Sequence, residues 1–255
     1  MTWHDALDRH LTAAARLLAE HSPATAVVDE RDGVVVTACG AAGPSFNPGW
    51  VVAPPADPDA TIRWAYDTLA ATGRPFCLHV PDDLSPAVAP ALAGTGLVPE
   101  AMPAMAMVTP ESVPAPPEWL RVERVGDPAE LERHAIAMAV GFGAPNPRGA
   151  LDVLVPSLLD DPATTMLNGY VDGADEPAAT ALCVVAEGLG GIYAVTVHEH
   201  ARRRGAGAAI TWAAVAAAAR AGVPYVVLQA SRMGEPVYSR MGFETVRGYH
   251  RYDPR

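Results

Sequence analysis

The chain has 255 residues, of which half are apolar and 18% charged, with a formal net charge of −11. This composition suits one large or two modest packed domains and excludes a disordered chain, and an acidic protein with one dense basic run, Arg202 to Arg204, does not suit a nucleic-acid partner. Cys39, Cys77 and Cys183 lie far apart with no CxxC pair, which argues against a disulfide framework or a metal site and fits a reducing cytoplasm.

The opening stretch, MTWHDALDRHLTAAARLLAE, spreads its charges through an amphipathic helical pattern. It lacks the basic start and unbroken apolar core of a signal peptide, so a cytoplasmic chain with no membrane partner is expected. TAVVDE, GVVVTACG and GWVVAP then read as strands, DATIRWAYDTLAA as a helix and PFCLHV as a strand. SPAVAPALAGTG reads as a further helix, and LVPEAMPAMAMV follows it. Four prolines in TPESVPAPPEWLRVERV, residues 109–125, cannot run through a helix or a central strand. The expected division is a first lobe over residues 1–112, a proline-rich linker over 113–120 and a second lobe over 121–255.

In the second lobe, Asp127 and Pro128 are suited to start the helix DPAELERHAIAMAVGF, and NPRGALDVLVPSLL reads as a short helix. TTMLNGYVDG, AATALCVVAEG and GIYAVTVHEH read as a β-meander. A helix from about Arg204 to Ala221 ends at Gly222 and Pro224, followed by the strand YVVLQA, the helix MGEPVYSRM and the strand FETVRGYHRYD. Strand, helix, strand implies a parallel pair joined by a right-handed crossover beside the meander, hence a mixed sheet. The first lobe repeats this plan loosely, with LHVPDDLSPAVAPALAGTGLVPE standing where LQASRMGEPVYSRMGFETV stands later.

VTVHEHARRRGAGAAITWAAV, residues 195–215, sets three arginines and two spaced glycines at a helix start. A helix start already carries unsatisfied N–H groups and the positive end of the macrodipole, so added arginines point to a bound anion, most simply a phosphate. Gly205 and Gly207 lack Cβ and let backbone approach a pyrophosphate, with N–H groups offered from Arg203 to Ala208.

These residues resemble the Arg/Gln-x-x-Gly-x-Gly/Ala motif of the GNAT superfamily of acyl-CoA-dependent N-acyltransferases, on Arg202, Gly205 and Gly207, and VYSRMGFE resembles its later Tyr-x-x-x-Gly-Phe element, on Tyr238, Gly242 and Phe243. The resemblance covers residues 120–255 and implies an α/β fold of two GNAT-like lobes, each a mixed, mostly antiparallel sheet flanked by helices. It further implies acetyl-CoA as cosubstrate, no metal, and an amine acceptor that attacks the thioester directly. Arg202, Arg203, Arg204, Gly205, Ala206, Gly207 and Ala208 would hold the phosphates, while Val195, Thr196 and Val197 would pair with the pantetheine arm as a strand does. A backbone N–H near Val197 would face the developing oxyanion, and Tyr238 would protonate the departing thiolate. Glu187 is the expected general base, with His198, Glu199 and His200 as local alternatives.

Two departures stand out. Ser231 occupies the neighbourhood of an asparagine often found in the family, and the first lobe has no RxxGxG; its stretch from Ala53 to Thr61 carries Pro54, Pro55 and Pro58, which lack donors, and Asp57 and Asp59, which repel phosphate. The first lobe is therefore expected to lack a cofactor site. The acceptor implied is a small molecule, a homodimer is left open, and a non-catalytic acyl-CoA-binding regulatory module is the rival reading.

Overall fold

The structure is a computed structural model that describes residues 3–22, 26–41 and 43–254. Met1 and Thr2 of the expected first helix and Thr25 of the expected first strand lie outside the described residues. Helix α1 (Trp3–His21) buries Leu7, Leu11 and Ala14, one face at helical spacing. A meander of β1 (Val27–Arg31), β2 (Val34–Ala38) and β3 (Pro48–Val51) follows, and α2 (Pro58–Ala70) carries the chain to β4 (Cys77–Pro81), parallel to β3. Then come α3 (Ser85–Ala93), β5 (Val98–Ala101) and β6 (Ala104–Val108).

The second half repeats that order after β7 (Leu120–Arg124) and α4 (Pro128–Gly141), whose N-cap Asp127 accepts a hydrogen bond from Glu130 N–H at 2.8 Å. Strands β8 (Thr164–Val171), β9 (Ala179–Ala186) and β10 (Leu189–Val197) form the meander, and α5 (Ala206–Arg220) crosses to β11 (Tyr225–Gln229), parallel to β10. Helix α6 (Glu235–Arg240), β12 (Glu244–Arg247) and β13 (Tyr249–Asp253) complete the order. Two expectations give way locally. NPRGALDVLVPSLL forms two 3₁₀ turns, Pro147–Asp152 and Pro156–Leu158, because each proline starts a turn too short to propagate. Residues 120–124 of the expected proline-rich stretch form a true edge strand on β8.

The two sheets exchange strands. The first has the order β1-β2-β3-β4-β13-β5 and the second β12-β6-β11-β10-β9-β8-β7. Strand β6 thus lies between β11 and β12, and β13 lies between β4 and β5, antiparallel on both sides in each case. The sheets therefore do not divide at the proline-rich segment: residues 104–108, expected in the first lobe, pair in the second sheet, and residues 249–253, expected in the second, pair in the first. LVPEAMPAMAMV and FETVRGYHRYD each break in the middle so that their halves can enter different sheets. Gly248 makes one break, since a Cβ there would sit 1.9 Å from Asp82 Oδ2.

The crossing point is tied by charge. Arg247, 7% exposed, donates to Asp8 Oδ2 at 2.6 Å and bidentately to Asp83 at 2.9 Å, while Tyr249 O–H donates to Asp8 Oδ1 at 2.5 Å. Leu7 and Leu11 of α1 pack with Trp50, Ala104, Ala106, Val227 and Tyr249, an apolar cluster shared by both sheets. Helix α5 packs Ile210, Ala214, Val215 and Ala218 on Ile192, Val226, Leu228 and Met105 of the second sheet. None of the described helices is long and apolar enough to cross a membrane.

Candidate functional site

Strands β10 and β11 run together from Leu189↔Tyr225 to Ile192↔Leu228 and then part. The cause lies in β10, whose register with β9 shifts between Tyr193 and Thr196, with Ala194 at a left-handed φ of 51°. Two buried threonines lock this bulge. Thr180 O–H donates to the Ala194 carbonyl at 3.1 Å, and the Thr180 and Thr196 hydroxyls bond at 2.8 Å. Gly141 lets the end of α4 rest on Thr196, where a Cβ would come within 2.5 Å of the threonine side chain. Val195 and Val197 pack towards α5, and among the described residues no strand pairs with the edge of residues 193–197 that turns from β11.

The parted strand leads into the arginine loop. A 3₁₀ turn, Glu199–Ala201, is followed by Arg203 and Gly205, both left-handed at φ 62° and 91°. Gly205 caps α5, so the helix begins at Ala206 and not near Arg204 as expected: the left-handed residue stops it extending backwards. The first amide to close a helical bond is that of Ala209, onto Gly205 O at 3.0 Å. The N–H groups of Ala206, Gly207 and Ala208 therefore have no helical acceptor and point out of the helix start.

The three arginines are not equivalent. Arg202 Nε donates to Val197 O at 2.9 Å and clasps the end of β10. Arg204 donates bidentately to Asp172, at 2.6 and 3.0 Å, with its guanidinium 4.2 Å over the Trp119 ring. Arg203 is exposed, and among the described residues no ion pair or side-chain hydrogen bond engages it.

Tyr238 lies on α6, its ring edge-on to Phe243 at 6.0 Å and packed on the α5 core. The ring leans back over Gly234, one turn earlier, where a Cβ would come 2.8 Å from it. Burial pushes the phenol up to about 12, with the Thr211 hydroxyl drawing it partly back. The group thus holds its proton throughout neutral pH. Ser231 Oγ accepts from Gly234 N–H at 3.2 Å and closes the turn into α6.

Glu187 does not join this site. It lies in the β9–β10 turn, at the far end of β10 from Val197 and roughly 30 Å along the strand at its ordinary rise. It pairs with Arg9 at 3.1 Å. The expectation of Glu187 as general base is corrected on that ground: a meander places the two ends of one strand on opposite edges of the sheet. His198 is closer, with Nε2 at 2.9 Å from the Ala137 carbonyl and so carrying its proton there, while Glu199 and His200 are exposed. The residues that sequence reasoning passed over are Thr180, Gly141, Trp119 and Asp172; only the repeated Asp-Gly turns, Asp32-Gly33 and Asp172-Gly173, were a readable sign of the last.

The matching place in the first sheet is filled differently. Asp32 Oδ2 accepts from Ala56 N–H at 2.9 Å, Asp57 N–H at 3.2 Å and Thr61 O–H at 3.1 Å, and Asp57 Oδ1 accepts from Ala60 N–H at 3.0 Å. These donors hold the Asp32 carboxyl below its ordinary range. Counting back from the left-handed Gly96 and Gly242 that end the equivalent turns, Leu92 stands where Tyr238 stands.

Residues 120–235 match the family model described as an acetyltransferase (GNAT) domain. The fold is similar to that of a GCN5-related N-acetyltransferase from Kribbella flavida, at TM-score 0.70 and 19% identity over 97% of this chain and 95% of that one. It is similar to a GCN5-related N-acetyltransferase from Sphaerobacter thermophilus, at TM-score 0.62 and 18% identity over 88% and 81%. A tandem GNAT protein from the clavulanic acid biosynthesis pathway shares the fold at TM-score 0.58 and 14% identity over 98% and 93%. No curated protein matches the chain. Residues 120–235 are thus similar to a GNAT acetyltransferase domain, and the whole chain has the mixed α/β architecture of its GNAT neighbours.

Proposed function

We propose that the protein is an acyl-CoA-dependent N-acyltransferase that takes an acetyl group from acetyl-CoA and passes it to an amine on a small molecule. The observation that carries this reading is the continuity of the parted β10 edge with the helix start of α5. An unpaired strand edge suits an amide-bearing arm, and it leads into three outward N–H groups that suit a pyrophosphate. The fit is steric as well as polar: a Cβ at Gly205 would meet nothing within 4 Å, so the space before the loop is open.

The bound thioester supplies an activated acyl group. The chain's own residues then divide the work. Ala206, Gly207 and Ala208 bind phosphate through backbone N–H groups, helped by the helix dipole and by the exposed Arg203. The backbone of Val195 to Val197 orients the arm, and an N–H near Val197 stabilises negative charge on the carbonyl oxygen as the amine attacks. Tyr238 keeps its proton at neutral pH and donates it to the thiolate sulfur as the C–S bond breaks. The attacking amine loses its proton to solvent, since Glu187 is remote. The first sheet is read as a lobe without a cofactor site, because carboxylates already occupy the donors at its crossover helix.

The test is thiol release from acetyl-CoA with a panel of primary amines, with the acetylated product identified by mass. Amine-dependent thiol with a product about 42 Da heavier, the mass that acetylation adds, supports the reading. CoA binding without thiol from any amine would make the protein a sensor instead.

A further inference from the structure

Two aspartates hold the same place in the two sheets. Asp32 follows β1 and Asp172 follows β8, each left-handed, at φ 45° and 51°, and each followed by a left-handed glycine, Gly33 or Gly173. Both turns sit beside the segment that enters a crossover helix. Their carboxylates do opposite things. Asp32 bonds the backbone amides ahead of α2. Asp172 bonds no amide of the α5 entry; its two oxygens are taken by Arg204, at 2.6 and 3.0 Å. The arginine lies 4.2 Å over Trp119, and Asp172 N–H donates to the Trp119 carbonyl at 2.8 Å, so the three residues form a closed set.

We infer that Arg204 is a positioning residue and not a phosphate ligand: it holds the Asp172 carboxylate away from the Ala206, Gly207 and Ala208 amides, keeping open in the second sheet the seat that Asp32 fills in the first. The inference rests on the acyl-CoA reading of that site. A carboxylate released beside a helix start is drawn to its free N–H groups and dipole, and once there it repels an incoming pyrophosphate. Both terminal nitrogens of Arg204 are already committed to Asp172, and its stacking on Trp119 fixes their direction. Arg203, one residue earlier and unpaired among the described residues, is the arginine left to meet phosphate.

The experiment compares wild type, Arg204→Ala, Asp172→Asn and the double variant, by titration with CoA and with dephospho-CoA, and by hydrogen exchange at the amides of residues 205–208. Arg204→Ala is expected to weaken both ligands about tenfold and to slow exchange at the helix start, as Asp172 swings onto it. Asp172→Asn should stay within about twofold of wild type, and the double variant should recover most of the lost affinity and the fast exchange. Equal losses in Arg204→Ala and the double variant would make Arg204 a direct phosphate ligand and overturn the inference. So would a loss confined to CoA and absent with dephospho-CoA, which would mark a contact to the ribose phosphate. If wild type binds neither ligand while the exchange pattern follows as described, the acyl-CoA reading falls and the role of Arg204 in displacing Asp172 stands.

Discussion

Ile192 and Leu228 form the last rung between β10 and β11, and the β10 bulge begins at the next residue. On one side β10 bulges between Tyr193 and Thr196; Tyr238 of α6 packs on the α5 core that covers this sheet. The rung marks where pairing between β10 and β11 ends, while β10 stays paired with β9 as far as Val197.

Gly205 should be needed for its backbone angle and not for space. At φ 91°, with nothing within 4 Å of where a methyl would stand, Gly205→Ala meets no clash but must adopt a conformation costing about 1–2 kcal/mol. CoA at a hundred times its dissociation constant should stabilise wild type by about 2.7 kcal/mol, seen as a rise in Tm. That rise should shrink in Gly205→Ala and vanish in Gly205→Val, where β-branching adds to the strain. An undiminished rise in both would remove the loop from the binding site.

Tyr238→Phe should bind CoA as wild type does and lose roughly ten- to ten-thousand-fold in turnover, as expected for removal of a general acid. Gly234→Ala should produce a milder version of the same defect, because its methyl would press the Tyr238 ring from 2.8 Å and move the hydroxyl. Thiol release measured at saturating acetyl-CoA separates the two effects from binding. Full activity in Tyr238→Phe would return the residue to packing.

Three buried histidines, His10, His79 and His134, are each pushed down by burial and should make the protein acid-sensitive. Burial pushes His79 down to about 3 and His134 down to about 4, so both stay neutral when folded but take up protons near 6.5 when unfolded. The unfolded state binds the extra protons, so stability is fully present above about pH 6.5 and falls as pH drops towards 4. Between pH 7.5 and 5 His79 and His134 should each contribute a loss of about 2 kcal/mol. Urea unfolding at pH 7.5 and 5 checks this, and His134→Gln, able to bond Asn168 without titrating, should flatten the dependence. An unchanged slope in that variant would exclude His134 as a source.

The exchanged strands should make the halves interdependent. Residues 1–112 and 113–255 expressed separately each lack a central strand of their sheet, β13 in one case and β6 in the other. Neither should unfold cooperatively alone, while mixing them should restore a single transition. Arg247→Leu should weaken the whole protein by several kcal/mol, since Asp8 would be left buried without its cation. A cooperative transition in either isolated half would overturn this.

CoA should bind once per chain. In the first sheet the Ala56, Asp57 and Ala60 amides are already held by Asp32 and Asp57, and Leu92 offers no proton where Tyr238 does. Calorimetric titration giving about two sites per chain would contradict the one-seat arrangement.

Periodicity and turn chemistry made most elements readable. Asp127 and Pro128 announced α4, and the spacing of Gly205, Gly207 and Tyr238 pointed to the candidate site. These are local signals, set by capping, backbone angle and side-chain size within a few residues. They also carried the repeat, since α3 and α6 each stand between two strands in the same order.

Long-range partners were another matter. Nothing in AMAMV or YHRYD says which sheet it joins, because an apolar strand fits either, and the exchange is decided by the pairing of β6 with β11 and of β13 with β4. Glu187 had the right chemistry and the wrong end of a strand, which only the register of β9 with β10 reveals. The three arginines look alike in sequence; Val197 and Asp172 assign two of them other work. The chain's own residues determined which local structures form and which helix start leaves its first amides without a helical acceptor, since those depend on neighbours along the backbone. Which side chains remain free to act was decided by tertiary structure, because a charge or donor is spent by whatever partner folding brings beside it.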